Sequence, residues 1–191
     1  FKCGHLFEKF LLDLVESESK QHGFNVSRNE KVEIPEWNVK GELDLHIYNS
    51  EVSLIYDVKS IHSAKFWHMQ QQGRGADEHY KEQVWSYLYA KQVPEGRILY
   101  VSKDDLTLGE YPLYLNDEKL ANSVKEKYQI LNECWKKDIL PPIPDTIIEE
   151  YGKIKLNWKA RYCRYHSICL DDIDWEKKAL LEIKNLNKSK T

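Results

Sequence analysis

Gly41-Glu42-Leu43-Asp44-Leu45-His46 and Ser53-Leu54-Ile55-Tyr56-Asp57-Val58-Lys59 are the two runs whose reading decides the fold. They lie within expected strands over Val39–Tyr48 and Val52–Ser60, and the polar Asn49-Ser50-Glu51 between them reads as a hairpin turn. Leu43 and Leu45 share one face while Asp44 takes the other. In the second run Asp57 and Lys59 share a face, roughly 7 Å apart at strand rise. With the turn centred between Ser50 and Glu51, Asp44 falls opposite Asp57, and their Cβ atoms lie about 5 Å apart, where like charges destabilise a sheet. A divalent cation removes that conflict. Two converging carboxylates suit Mg²⁺ or Mn²⁺ better than zinc, and Lys59 beside them is placed to orient a water or neutralise charge on a phosphate. The bland alternative is a solvated sheet face on which Asp57 and Lys59 are incidental neighbours.

Outward from the hairpin, apolar spacing from Leu6 to Val15 and a stop at Gly23 predict a helix over residues 2–22. Residues 24–35 suggest a strand, 61–76 an exposed loop with at most one short turn, and Asp77–Gln92 a helix. Strands over Arg97–Ser102 and Leu106–Leu115 and a helix over Glu118–Lys137 follow. Residues 145–170 read as irregular, and Trp175–Leu186 as a last helix. This order implies an α/β or α+β protein with a central mixed sheet flanked by helices. The expected division is a core over residues 1–145 and a basic, aromatic extension over 146–191 packing on it.

At 191 residues, 41% hydrophobic and 31% charged, the chain has the make-up of a soluble globular protein with a real core. Its net charge of −3 argues against a binder that is basic throughout. No apolar run approaches the roughly 20 residues that span a bilayer. The charged opening segment does not read as a signal peptide, and the four cysteines read as thiols or metal ligands in a cytoplasmic setting.

Four further groups stand out. On the first helix Glu8 falls inside the apolar sector running from Leu6 through Phe7 to Leu12, where a carboxylate needs a partner or a metal; the alternative is a half-wet sector edge. His5, one turn earlier, is a weaker ligand candidate. On the helix Asp77–Gln92, Tyr80, Gln83 and Tyr87 share a stripe that serves either a core or a site. Between Tyr151 and Ser167, Lys153, Lys155, Lys159, Arg161 and Arg164 interleave with Trp158 and other aromatics, a pattern that suits single-stranded nucleic acid or a snorkelling surface. Lys65 and Trp67, in the expected loop, are candidates to close over a threaded strand.

Gly4-His5-Leu6-Phe7-Glu8, Gly41-Glu42-Leu43-Asp44, Asp57-Val58-Lys59-Ser60 and Gln83-x3-Tyr87, in this order, resemble the PD-(D/E)xK nuclease superfamily. Within it the likeness is to RecB-like exonucleases, the phage-encoded and CRISPR-adaptation types included. The resemblance implies a restriction-endonuclease-like core. It implies Asp44, Asp57, Glu8 and the Val58 carbonyl as metal ligands, Lys59 as the catalytic lysine, and Gln83 and Tyr87 as positioning groups. The activity implied is Mg²⁺- or Mn²⁺-dependent DNA exonuclease cleavage in replication, recombination or repair. A structure-specific endonuclease and a non-catalytic DNA-binding module are the alternatives. Some relatives hold an iron–sulfur cluster on an upstream Cys and C-x2-C-x5-C. Here Cys163 and Cys169 fit the last two positions, Ala160 stands at the one before, and Cys3 is a distant third, short of the four ligands a cluster needs.

Overall fold

The computed structural model describes residues 2–139, 147–150 and 153–156. The chain forms two compact units, Phe1–Ile139 and Leu140–Thr191. The expected boundary after residue 145 falls among residues outside the described set.

In the first unit, α1 (Lys2–Gln21) leads into the antiparallel strands β1 (Asn25–Ile34), β2 (Val39–Tyr48) and β3 (Ser53–Ile61), with a 3-10 turn at Pro35–Trp37. Helices α2 (Ser63–Gln71) and α3 (Glu78–Lys91) carry the chain over to β4 (Glu95–Ser102), which pairs parallel with β3. Strand β5 (Leu108–Tyr114) returns antiparallel, and α4 (Glu118–Lys137) closes the unit. The sheet order is β1-β2-β3-β4-β5. Among the described residues of the second unit, β6 (Ile147–Glu150) and β7 (Lys153–Leu156) form an antiparallel pair.

Helices cover both faces of the sheet. Leu11 and Leu12 of α1 pack on Leu45, Ile47, Val58, Leu99 and Val101. On the other face, Val84, Trp85 and Leu88 of α3 pack on Ile55, Ile98 and Tyr100. Helix α1 stops where Gly23, at φ +80, takes the left-handed conformation that ends helices: its N–H reaches the Lys20 carbonyl, and the Phe24 N–H reaches that of Ser19. Asp117 caps α4 by accepting from the Leu120 N–H at 3.0 Å.

Three local expectations are corrected. Residues 61–76 hold a nine-residue helix, α2, because Phe66 and Met69, three apart, both find the core. Phe66 lies flat over β5, where a Cβ on Gly109 would come within 2.5 Å of its ring. Residues 145–170 are not irregular throughout, since β6 and β7 lie within them. On α1 the buried stripe is Phe7, Leu11, Leu12 and Val15, while Leu6 is 68% exposed, because the helix lies on the sheet along its Leu11–Leu12 side. The expected helix Trp175–Leu186 lies outside the described residues.

Candidate active site

The register between β2 and β3 places the site. Leu45 pairs with Tyr56 and His46 with Ile55, the alignment that sets Asp44 against Asp57. The ladder ends at Leu45, however, so the Asp44–Asp57 rung is not formed. On the other side of β2 the pairing runs Arg28–Leu45 and then Glu30–Leu43, skipping Asn29 and Asp44. Asn29 has φ +50, in the left-handed region that Asn tolerates better than most residues. The hairpin changes face there: Leu45 and Ile47 lie under α1, whereas Leu43, Val32 and Ile34 join the α3 side.

Released from both ladders, Asp44 turns its carboxylate into the gap between β2 and β3 and accepts the Val58 N–H at 2.8 Å. The N–H and C=O of one residue in an extended strand point to the same side, so the Val58 carbonyl opens into the same gap.

Asp57 is fully buried. Lys59 Nζ stands 2.8 Å from its Oδ2, an ion pair that meets that oxygen. Asp57 Oδ1 has no hydrogen-bond partner among the described residues. Burial pushes the Asp57 carboxyl up to about 6, with Lys59 opposing that rise and Asp44 adding to it. Burial likewise raises Asp44, against the pull of the Val58 N–H and Lys59. Lys59 is raised too, because Asp57 and Asp44 together outweigh the burial that disfavours its charge. A buried carboxylate with one unmet oxygen, a second carboxylate beside it and a carbonyl facing the same gap form a donor set that fits a hard divalent cation.

Glu8 reaches the cluster from α1. Its side chain is 28% exposed, and Oε1 accepts from the Ser60 hydroxyl at 3.2 Å and the Ser60 N–H at 3.4 Å. His5 Nδ1 lies 3.4 Å from the other Glu8 oxygen, and its ring is largely exposed. Glu8 is close enough to raise both Asp44 and Asp57. Yet among the described residues no three His, Cys, Asp or Glu side chains converge into a ready-made metal site. The structure brings Asp44, Asp57 and Lys59 together and leaves Glu8 tied to Ser60.

The stripe on α3 faces this cluster. Lys59 Nζ sits 5.2 Å from the centre of the Tyr80 ring, a cation–π distance. The Tyr87 hydroxyl accepts from Gln83 Nε2 at 2.7 Å. Tyr87 is raised by burial first, then by Asp57 and Asp44. Its ring crosses β2 at Gly41, where an added Cβ would meet Tyr87 Cε1 at 2.8 Å. Gly41→Ala is therefore expected to cost about 1–2 kcal/mol through overpacking, read as a fall in unfolding temperature. Glycine at position 41 was visible in the sequence; its contact with residue 87 was not.

Of the remaining candidates, Lys65 pairs with Asp77 at 2.6 Å and Trp67 is 57% exposed, both on α2. Lys153 and Lys155 lie on β7. Trp158, Lys159, Arg161, Arg164, Cys163 and Cys169 lie outside the described residues, and Cys3 is placed only as part of α1. Cys134 is a buried free thiol in α4.

A five-stranded mixed sheet between helices, with its acidic cluster where the hairpin splits, is the restriction-endonuclease-like fold. No family model and no curated protein sequence matches the chain. Solved structures match it. LHK-Exo, an alkaline exonuclease from Laribacter hongkongensis, was solved in complex with dAMP. In that complex it superposes with a TM-score of 0.51 at 12% identity, over 71% of each chain. The protein SSO0001 superposes with a TM-score of 0.50 at 17% identity, over 87% of this chain and 68% of that one. At these identities the likeness is one of fold.

Proposed function

We propose that the chain is a metal-dependent deoxyribonuclease, an exonuclease that hydrolyses phosphodiester bonds at DNA ends or in single strands. The observation that carries this reading is Asp57, a fully buried carboxylate with Lys59 on one oxygen, the other oxygen unmet among the described residues, and Asp44 beside it. Such an arrangement is costly for a fold and useful to a metal site. The shared fold of LHK-Exo, an exonuclease seen with a nucleotide, supports the same class.

Asp44, Asp57 and the Val58 carbonyl would hold Mg²⁺ or Mn²⁺, with Glu8 as a further ligand; such an ion would supply polarisation of the phosphodiester and a lowered pKa for the attacking water. Lys59 supplies a fixed positive charge toward oxygen that gains negative charge in the transition state. Gln83 donates to the Tyr87 hydroxyl, whose own proton is then free to reach a phosphate oxygen. Lys65 and Trp67 on α2, together with Lys153, Lys155, Trp158, Lys159, Arg161 and Arg164, supply the phosphate and stacking contacts of such a substrate. No described helix is long and apolar enough to cross a membrane, and the expected setting is the cytoplasm, on DNA.

The test is a gel assay on end-labelled single- and double-stranded DNA, linear and circular, with Mg²⁺ or Mn²⁺. Metal-dependent loss of linear substrates only, absent in Asp57→Ala and Lys59→Ala, is the expected result. Cutting of circles would convert the reading to an endonuclease. Binding without cleavage would leave a DNA-binding module.

A further inference from the structure

Behind the Gln83–Tyr87 pair a cavity of about 190 Å³ opens between the β1–β2 hairpin, α3 and α4. Val32, Ile34 and Val39 give it an apolar wall, and the Tyr87 and Tyr128 rings line it. Half of its lining is polar. His79, Glu82, Gln83 and Ser86 come from α3; the Ser86 hydroxyl donates to the Glu82 carbonyl at 2.7 Å and lies 3.1 Å from that of Tyr128. Lys40 and Lys127 stand among its lining residues, paired with Glu33 and Glu82 respectively. Gln83 and Tyr87, hydrogen-bonded to each other at 2.7 Å, line the cavity from the same α3 stripe whose Tyr80 ring lies 5.2 Å from Lys59 Nζ.

An apolar wall, two tyrosine rings, a side-chain amide and hydroxyls suit a planar heteroaromatic with hydrogen-bonding edges. Two lysines against one carboxylate among the lining residues suit a group bearing phosphate. A ligand that has both and ends beside a phosphodiester-cleaving centre is a nucleotide. We infer that this cavity takes one unpaired nucleobase of the DNA strand, next to the phosphate addressed by Asp44, Asp57 and Lys59. The inference rests on the nuclease reading for the identity of the strand and adds where one of its bases goes. A base seated there is out of any duplex, so the site works on single strands or on ends that have frayed by at least one pair.

The experiment uses the full chain and single-stranded oligonucleotides with 2-aminopurine placed one position at a time from each end. Fluorescence is read during titration in EDTA, where binding proceeds without metal. A change of roughly twofold or more confined to one position, measured from the end, is the expected result, since stacking on tyrosine alters emission sharply. Val39→Phe, which fills the cavity from a residue outside the reaction machinery, should abolish that change while anisotropy still reports bound strand. Val39→Met is the gentler filling if the phenylalanine variant does not fold. With metal, an abasic residue at the same position should lower kcat/KM about tenfold in the wild type and leave the filled variant indifferent.

A uniform fluorescence response at all positions, or a positional response that survives both fillings, overturns the inference. A positional response with no cleavage of any substrate keeps the base pocket and removes the nuclease reading instead. The two failures are thereby distinct.

Discussion

Asp57→Asn is expected to abolish cleavage and, at the same time, to raise the stability of the metal-free protein. The first effect follows from the proposed role of Asp57 as a metal ligand, and a loss of about a thousandfold or more is expected. The second follows from burial. A carboxyl held at about 6 instead of an ordinary 3.8 destabilises the charged fold by about 3 kcal/mol at pH 8. The new amide's own unmet hydrogen bonds offset part of that gain, so a rise of roughly 3–8 °C in unfolding temperature in EDTA is expected. The sign with pH is fixed. Because the folded carboxyl binds its proton more tightly than the unfolded one, its penalty is full above pH 6 and fades as pH falls toward 4. The penalty should therefore shrink to about a third by pH 4.5, and the gap between variant and wild type by more, since the amide's offset does not titrate. A variant that melts below the wild type at pH 8, or a gap that stays constant with pH, would show that Asp57 is not the strained group described here.

Lys59→Met is the counterpart with the opposite sign on stability. Cleavage should again fall about a thousandfold, now through loss of the fixed charge. Asp57 then stands buried with no cation beside it, and breaking a buried pair from one side is costly. About 2–4 kcal/mol of destabilisation is expected at pH 8, smaller near pH 5, where Asp57 takes up a proton. Combining the two substitutions should recover much of that loss, since the double variant leaves no unpaired carboxylate. Denaturant melts of the two single variants and the double variant at both pH values measure this coupling. Simple additivity would mean that Lys59 and Asp57 do not depend on one another.

The sheet was legible because its hairpin carries its own ruler. A polar turn between two expected strands fixes the register, and Leu45 does pair with Tyr56. What the register could not show is that the ladder parts at the next rung. That depends on Asn29 in a third strand, whose positive φ has no spacing signature. Helix α2 was missed for a different reason. Gly73, Gly75 and a polar run hid it, and its only helical signal was Phe66 and Met69 three apart. Glu8 was legible as an anomaly on an apolar stripe; in the fold its side chain is 28% exposed and accepts from Ser60. Its bond to Ser60 joins residues 52 apart and needed the fold.

The kink at Asn29 also bears on how the protein behaves in a crowded solution. Strand β1 is the outer edge of the five-stranded sheet, ten residues long, and a long straight edge is a template for adding further strands. A left-handed residue in its middle breaks that edge into two short pieces pointing different ways. Arg28, Glu30, Lys31 and Glu33 along it add charge that an incoming strand would have to desolvate. The irregularity that frees Asp44 for chemistry thus also guards the sheet against aggregation, and straightening it would expose both functions to loss.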